Sequence, residues 1–317
     1  MSVSYKTKFA NILDLKAWQS RYFLEKNKQE NMTKHVLLMD GPDAKGLIFQ
    51  VTSVLFEQAC NIIRQDEYVS PSGQFFMRTE LESDENLDSN SLLKALRQRI
   101  PDESITFRIN PKKKKDIVIL ATKEHHCLSD LLTRYHFDEL NANVLAVISN
   151  YNVLQPYVSK FGVPFHYIAH EDKTREEHEE AILRTLSIYK PAYLVLAKYM
   201  RVLTPGFVAH YPNQIINIHH SFLPAFIGAN PYKQAYDRGV KIIGATAHFV
   251  NNDLDEGPII AQDIKHVSHR YTAADMSREG KDVEKMVLTN ALKLVFNDRV
   301  FINGNRTVIL EVRINHL

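Results

Sequence analysis

The sequence predicts an α/β protein of two domains: a small ferredoxin-like sandwich, followed by a larger, doubly wound and mostly parallel α/β sheet. The element order β-α-β-β-α-β before residue 111 predicts the sandwich, because two helices can then cover one face of a four-stranded antiparallel sheet. After residue 116, short apolar runs alternate with longer helical patterns. Strands separated by helices pair in parallel through right-handed crossovers, which predicts the second domain.

The first domain is placed at residues 34–111. Its first helix carries apolar side chains at a spacing of three to four residues, which forms one face of a helix. A turn at Pro71-Ser72-Gly73-Gln74 joins two strands into a hairpin. The predicted elements are strands at residues 35–39, 61–70, 75–82 and 104–109, and helices at residues 47–56 and 90–99.

Two segments are placed outside the domains. Residues 1–33 form an N-terminal extension of unassigned role, whose apolar side chains predict one amphipathic helix, and Met1 and Met32 are both candidate starts. Residues 112–116 form a linker with a run of four lysines. A nucleic-acid site would need aromatic or further basic neighbours, and an apolar strand follows instead, so a solvated linker is expected.

The second domain is placed at residues 117–317. Ligands of doubly wound sheets bind beyond the carboxyl ends of the strands, where the strand order reverses. The loops after the strands are therefore the expected position of a site. The predicted elements are strands at residues 117–120, 144–148, 164–168 and 193–197, and helices at residues 126–134, 154–161 and 175–188.

Composition narrows the classes of partner. Lys and Arg number 39 against 37 acidic residues, so the net charge of +2 provides no field to hold a nucleic acid or an anionic membrane. No apolar run approaches the roughly 20 residues that span a bilayer, and no signal peptide is evident. Two cysteines cannot build a disulfide framework. A small-molecule partner and a cytoplasmic location are expected, without nucleic acid or membrane.

The residues that indicate chemistry are Asn217, His219 and Asp255. In an extended Asn-x-His, the two polar side chains project from the same face of the strand. Asp255 lies between two apolar runs that form a hairpin-like excursion able to close over the same cleft. An amide donor, an imidazole and a carboxylate suffice to transfer an acyl group to water, by stabilising an oxyanion and moving protons. Which of His219 and Asp255 is the formal base is left open.

Two other chemistries are weighed against this hypothesis. Cys127 follows His126 and could be a thiolate nucleophile, although adjacency in sequence does not pair the two groups in space. A metallohydrolase site could use His219, His248 and Asp255, together with His220. The sequence has neither a His-Glu-x-x-His helix nor a paired-cysteine motif. We therefore expect no metal and no cofactor, and we expect His248 to pack beside the site.

The small domain resembles the ACT family. The resemblance is carried by the Asp-x-x-Gly-Leu turn at residues 43–47 and by the strand Gly73-Gln-Phe-Phe-Met-Arg78. It implies a regulatory domain that binds an amino-acid effector at a dimer interface, and hence a homo-oligomer. The alternative is a domain that serves only packing or dimerisation.

The large domain resembles the folate-dependent formyltransferases. The matching strings are Asn217-Ile-His-x-Ser-x-Leu-Pro224, then residues 244–250, then Asp255-x-Gly. The resemblance implies that Asn217, His219 and Asp255 are catalytic. It also implies a folate site, because the segment 198–203 is similar to the family's pterin-side segment. The implied substrate contacts are Arg201, Leu203, His248, Asn251 and Asn252.

Within that fold the chain is most similar to formyltetrahydrofolate deformylases, from about residue 35 onward. An ACT-like domain ahead of a formyltransferase-like domain is that family's arrangement, and residues 220–229 and 271–276 fit it as well. The resemblance implies hydrolysis of 10-formyltetrahydrofolate to formate and tetrahydrofolate. It further implies a role in supplying formate for purine synthesis and in balancing the one-carbon folate pool.

Three other functions are compared with hydrolysis. A glycinamide ribonucleotide transferase must hold a phosphate, and the turn at residues 121–127 contains no glycine and one acidic side chain. A methionyl-tRNA formyltransferase carries an additional RNA-contacting domain, which is not evident here. A non-catalytic amino-acid sensor would not need Asn217, His219 and Asp255. Water is therefore the expected acceptor, while the effector and the oligomer size stay open.

Overall fold

The computed structural model describes residues 32–84, 87–111, 113–224 and 231–310. The chain divides into two compact units, Met1–Lys112 and Lys113–Leu317. The predicted N-terminal helix lies outside the described residues. So does the part of the 220–229 motif that follows Pro224.

The first unit is a four-stranded antiparallel sheet with two helices. The sheet order is β2-β3-β1-β4, and every neighbouring pair is antiparallel. Strand β1 is longer than the predicted 35–39 because it pairs with β3 on one side and β4 on the other. The elements are β1 (Met32–Pro42), α1 (Leu47–Glu57), β2 (Asn61–Val69), β3 (Gln74–Asp84), α2 (Ser89–Arg99) and β4 (Thr106–Pro111).

The core of this unit lies between the sheet and the helices. Leu37 and Met39 of β1 lie on the same face of the sheet, because strand side chains repeat every second residue, and both are fully buried. They belong to one cluster with Val51 of α1 and Leu96 of α2. Fully burying each such side chain stabilises the fold by about 1.5–3 kcal/mol.

The turn that precedes α1 packs against the hairpin turn. The backbone N–H of Asp43 donates to the carbonyl of Gly73 over 2.8 Å. Gly46 then adopts φ 85°, a left-handed conformation that glycine accepts without steric cost, and α1 begins at the next residue. The two ACT-like segments of the sequence therefore meet in space.

The second unit is built on a seven-stranded sheet. Its elements are β5 (Lys115–Ala121), α3 (His126–His136), β6 (Ala142–Ser149), α4 (Gln155–Val158), a 3₁₀ turn (Ser159–Phe161), β7 (Phe165–Tyr167), α5 (Arg175–Tyr189), β8 (Tyr193–Leu196), α6 (Pro205–Ala209), β9 (Ile215–His219), α7 (Pro231–Arg238), β10 (Ile242–Phe249), β11 (Ile259–His266), α8 (Ala273–Phe296), β12 (Val300–Asn303) and β13 (Arg306–Ile309).

The strand order of this sheet is β11-β10-β9-β8-β5-β6-β7. The five strands from β9 to β7 are parallel, whereas β10 and β11 are antiparallel additions at one edge. The chain moves outward from β5 to β7 and then returns to β8, so the order reverses between β5 and β8. The predicted doubly wound, mostly parallel sheet is confirmed, and its reversal point is expected to bind ligands.

Helices cover both faces of the sheet. Ile117 and Ile119 of β5 belong to one buried cluster and Val118 and Leu120 to another, because successive strand residues point to opposite faces. Helix α8 contributes to the first cluster and α5 to the second. The predicted helix at 154–161 is shorter than expected, since α4 tightens into the 3₁₀ turn that ends at Gly162.

Helix α8 begins with a capping box. The Thr272 side chain accepts from the Asp275 N–H, and the Asp275 side chain accepts from the Thr272 N–H. The helix then runs for 24 residues and contributes Val287, Ala291 and Val295 to the buried cluster. In the described part of the chain, no helix is both long enough and apolar enough to cross a membrane.

Candidate active site

A cavity of about 430 Å³ lies at the carboxyl ends of β8 and β9, beside β10. Its walls are the segment that follows β8, the end of β9, and the loop between β10 and β11. The volume is in the range of small-molecule sites. All eight site residues that the sequence predicted line this cavity: Arg201, Leu203, Asn217, His219, His248, Asn251, Asn252 and Asp255.

The strand β9 sets the direction of two of these side chains. Ile216 and Ile218 point to the buried cluster under the sheet, so Asn217 and His219 point to the opposite face. Strand β10 runs antiparallel to β9 with His248 opposite Asn217. The Asn217 Nδ2 lies 3.2 Å from the His248 Nε2.

The loop between β10 and β11 brings Asp255 to the same place. A Cβ on Gly257 would lie 1.8 Å from the Phe249 carbonyl oxygen, so only glycine fits where the loop passes the end of β10. Asp255 itself has φ 59°, in the left-handed region. The loop thereby turns its carboxylate back over β9.

The Asp255 carboxylate contacts both imidazoles. Its Oδ2 lies 3.2 Å from the His219 Nδ1, and its Oδ1 lies 3.7 Å from the His248 Nε2. Burial favours the protonated form of Asp255, but the hydrogen bond from His219 outweighs burial and holds the pKa of the carboxyl well below its usual range. The carboxylate is therefore ionised at neutral pH.

An ionised carboxylate can only accept, so the Nδ1 of His219 carries the hydrogen between them. The other ring nitrogen, Nε2, is buried without a hydrogen-bond partner in the structure. His219 is thus an imidazole oriented by a carboxylate at one nitrogen and free at the other. That arrangement suits a general base that takes a proton at Nε2.

The tautomer of His248 follows in the same way. Its Nδ1 lies 2.9 Å from the Phe249 carbonyl oxygen, which can only accept, so Nδ1 donates. In the neutral imidazole, Nε2 then accepts one N–H of the Asn217 amide. The second amide hydrogen of Asn217 remains for a ligand. His248 therefore packs beside the site and orients Asn217.

His220 extends the site behind His219. The two rings stack with centroids 5.1 Å apart at 30°. Burial lowers the pKa of His220 to about 4, and the positive charge of Lys198 adds to the effect. His220 is consequently neutral at neutral pH.

The remaining walls are largely apolar. Leu203, Val250 and Leu254 line the cavity, with the two asparagines of the β10–β11 loop at its rim. Apolar walls with a few polar groups suit a flat heterocycle. Arg201 also lines the cavity, on the segment after β8.

Lys198 is a lining residue that the sequence analysis named only as part of a segment. Its Nζ lies 3.1 Å from Glu284 Oε2, on helix α8. A signal for Glu284 was present, because it stands among the apolar residues Val283 and Val287 on the buried face of α8. No pattern in the sequence indicates that Lys198 is the partner of Glu284.

The structure argues against the thiol of Cys127 as a nucleophile. Cys127 is 1% exposed and does not line the cavity. Burial, reinforced by the negative charge of Glu284, raises the pKa of the thiol far above its usual range. A neutral buried thiol is a poor nucleophile.

The structure does not bring the residues of the metal hypothesis together as a group of ligands; the candidate group lies elsewhere. Among the described residues, one group of three potential ligands is close enough to share an ion, namely His126, Cys127 and Glu284. It lies outside the lining of the cavity. The Lys198 ammonium already neutralises the Glu284 carboxylate, so these residues do not fit a cation.

Comparison with known proteins connects this chain to a family. Residues 115–292 match the formyl transferase family. The formyltetrahydrofolate deformylase of Escherichia coli (strain K12) is 53% identical over 281 residues, which cover 88% of this chain and 99% of that protein.

Solved structures agree. A formyltetrahydrofolate deformylase from Pseudomonas syringae pv. tomato matches with a TM-score of 0.85 and 38% identity, over 92% of this chain and 99% of that chain. A glycinamide ribonucleotide transformylase from Symbiobacterium toebii matches with a TM-score of 0.60 and 30% identity, over 62% of this chain and 95% of that chain. The formyltransferase-like fold is therefore confirmed, and the chain belongs to the formyltetrahydrofolate deformylases, a family of hydrolases.

Proposed function

We propose that the protein hydrolyses 10-formyltetrahydrofolate to formate and tetrahydrofolate. The observation that carries the proposal is the contact between His219 and Asp255. His219 lines a cavity of about 430 Å³, and its Nε2 has no hydrogen-bond partner among the described residues. The names of the similar proteins support the substrate. The folate occupies the cavity, with its formyl carbon beside His219 and Asn217.

In the first step His219 activates water. The Nε2 takes a proton from a water molecule while the oxygen attacks the formyl carbon, and Asp255 stabilises the imidazolium that forms. Asp255 can do so because its negative charge lies 3.2 Å from the Nδ1 of His219. His219 is thus the formal base and Asp255 its orienting carboxylate.

The tetrahedral intermediate carries a negative charge on the former formyl oxygen. The second amide hydrogen of Asn217 donates to this oxyanion, and His248 holds the amide in position. The intermediate collapses when the bond from carbon to N10 breaks. N10 takes the proton from His219, and the product loses its acidic hydrogen to become formate.

The proposed reaction uses no metal ion and no redox cofactor. The N10-formyl group is an activated amide, so positioned proton transfer and oxyanion stabilisation suffice.

The substrate contacts follow from the lining of the cavity. Leu203 and the segment around Arg201 hold the pterin side, while Asn251 and Asn252 face it from the opposite loop. His248 contributes by orienting Asn217.

The first unit is proposed to regulate the second. The Asp43–Leu47 turn and the turn at Gly73 are joined by a hydrogen bond of 2.8 Å, which supports an ACT-type effector turn. A small amino acid is the proposed effector, and a homo-oligomer the proposed assembly. The wider role is to supply formate for purine synthesis and to balance the one-carbon folate pool in the cytoplasm.

The test is to incubate the purified protein with 10-formyltetrahydrofolate and to measure formate and tetrahydrofolate. We expect equal amounts of both products with water as the only acceptor. The assay is then repeated with glycinamide ribonucleotide. Formyl transfer to that amine in excess of formate release would refute the hydrolase.

A further inference from the structure

A buried polar cluster joins the carboxyl ends of β5 and β8, where the strand order reverses. Thr122 follows β5, and its hydroxyl donates to the backbone carbonyl of Lys198 over 2.7 Å. Lys198 follows β8 and has φ 61°, a strained conformation for a residue with a side chain. In open α/β sheets this crevice receives the ligand. Here the protein's own side chains occupy it.

Glu284 is the centre of this cluster. Its Oε2 lies 3.1 Å from the Lys198 Nζ and 2.7 Å from the His126 Nε2, and its Oε1 accepts from the Tyr232 hydroxyl over 2.6 Å. Glu284 is 1% exposed and Lys198 7%. The desolvation free energy of two buried charges is about as large as their mutual attraction, so a gain in folding stability does not account for this pair.

The cluster extends from the cavity to the surface. Lys198 lines the cavity, whereas Glu284 and His126 lie behind it. Beyond His126, the Glu124 carboxylate lies 3.6 Å from the His126 Nδ1 and 2.9 Å from the Lys281 Nζ. A row of charged and polar side chains thus runs from Lys198 at the cavity to Glu124 and Lys281, which are partly exposed.

The comparison with the transformylase makes this row informative. That protein shares the fold, and its name gives glycinamide ribonucleotide as its substrate. Formyl transfer to an amine needs room for the acceptor on the far side of the formyl carbon from the folate. In this chain, Lys198 occupies the wall of the cavity that adjoins the reversal point.

We propose that Lys198, held in place by Glu284, is the residue that determines acceptor specificity, because its side chain excludes amines from the reacting carbon and admits water. This inference rests on the proposed hydrolysis of 10-formyltetrahydrofolate. When an amine is admitted, its nitrogen attacks the formyl carbon, the bond to N10 breaks, and the proton lost by the amine passes to N10. In hydrolysis, the oxygen of water takes the place of that nitrogen.

The test compares two double variants of the full chain that differ only in volume. Lys198→Ala with Glu284→Gln removes both charges and opens the wall, whereas Lys198→Met with Glu284→Gln removes both charges and keeps the wall filled. Each protein is given 10-formyltetrahydrofolate and glycinamide as an amine probe. The ratio of formylglycinamide to formate is measured by mass spectrometry.

We expect the ratio to rise about tenfold or more over wild type in the alanine variant and to stay near wild type in the methionine variant, since a single methylene of space in a pocket is worth about 10- to 200-fold. A folded alanine variant with an unchanged ratio overturns the inference. An equal rise in the methionine variant also overturns it, because charge would then be the barrier.

A third variant separates the side chain of Lys198 from the rest of the buried cluster. His126→Ala shortens the same row but leaves Glu284 with Lys198 and Tyr232 as partners. It should leave the ratio near wild type, because Lys198 stays in place, and a rise as large as that of the alanine double variant in a folded His126→Ala protein counts against the inference. The proposed function fails separately, if wild-type protein releases no formate before any amine is added.

Discussion

Asp255 Oδ2 lies 3.2 Å from His219 Nδ1. The two residues come from different elements, because Asp255 is a loop residue with a left-handed backbone conformation and His219 ends the parallel strand β9. This contact fixes the tautomer of His219 and leaves Nε2 without a partner. One side of the imidazole is thereby oriented, and the other is available for a proton.

Asn217→Ala should lower kcat by about 10²- to 10³-fold, because the amide acts on the oxyanion that exists only in the transition state. KM should change little, since the ground-state formyl group does not depend on this donor. Steady-state kinetics of formate release give both constants. An effect confined to KM would assign Asn217 to substrate binding.

Gly257→Ala should abolish most of the activity. The new Cβ would lie 1.8 Å from the Phe249 carbonyl oxygen, so the loop must shift and carry Asp255 away from His219. Gly206→Ala is the matched control, because its Cβ would meet only the Thr204 hydroxyl at 3.7 Å. Comparable turnover of the two variants would show that the loop position does not matter.

His220 should stay neutral well below pH 6. Burial lowers its pKa from 6.5 to about 4 in the folded protein. The unfolded chain binds a proton between these pH values and the folded chain does not, so this part of the stability is present above pH 6.5 and is lost as pH falls toward 4. Histidine chemical shifts titrated by NMR, assigned with His220→Gln, check the value. A midpoint near 6.5 for His220 would contradict the burial argument.

Cys127→Ala should retain turnover within a few-fold of wild type. The thiol is 1% exposed and lies outside the lining of the cavity, so no covalent intermediate is expected on it. Formate release per folded molecule is the measurement, with the folded fraction taken from circular dichroism. A dead but folded variant would restore the thiol mechanism.

The sequence predicted the six elements of the first unit, the main elements of the second unit from β5 to β8, and eight residues that line the cavity. Alternation along β9 was enough to place Asn217 and His219 on one face, since that pattern is local. The motif strings then identified Asp255, which lies in a loop whose path no local pattern sets.

The contacts of Lys198 and Glu284 could not be predicted in this way. Glu284 is part of a long helix, and its three partners come from α7, from the start of α3 and from the segment after β8. Such a meeting depends on how helices pack on the sheet. The choice between the two nitrogens of His219 likewise required the position of the Asp255 carboxylate.

The most direct test of the central claim is the rate of formate release by Asp255→Asn with 10-formyltetrahydrofolate as sole substrate. The asparagine keeps the shape but removes the charge that orients His219 and stabilises its protonated form. We expect kcat to fall by about 10²- to 10⁴-fold, the usual contribution of general acid–base catalysis, while the affinity for the folate changes little. A kcat equal to that of wild type would contradict the assignment of His219 and Asp255 as the pair that activates water.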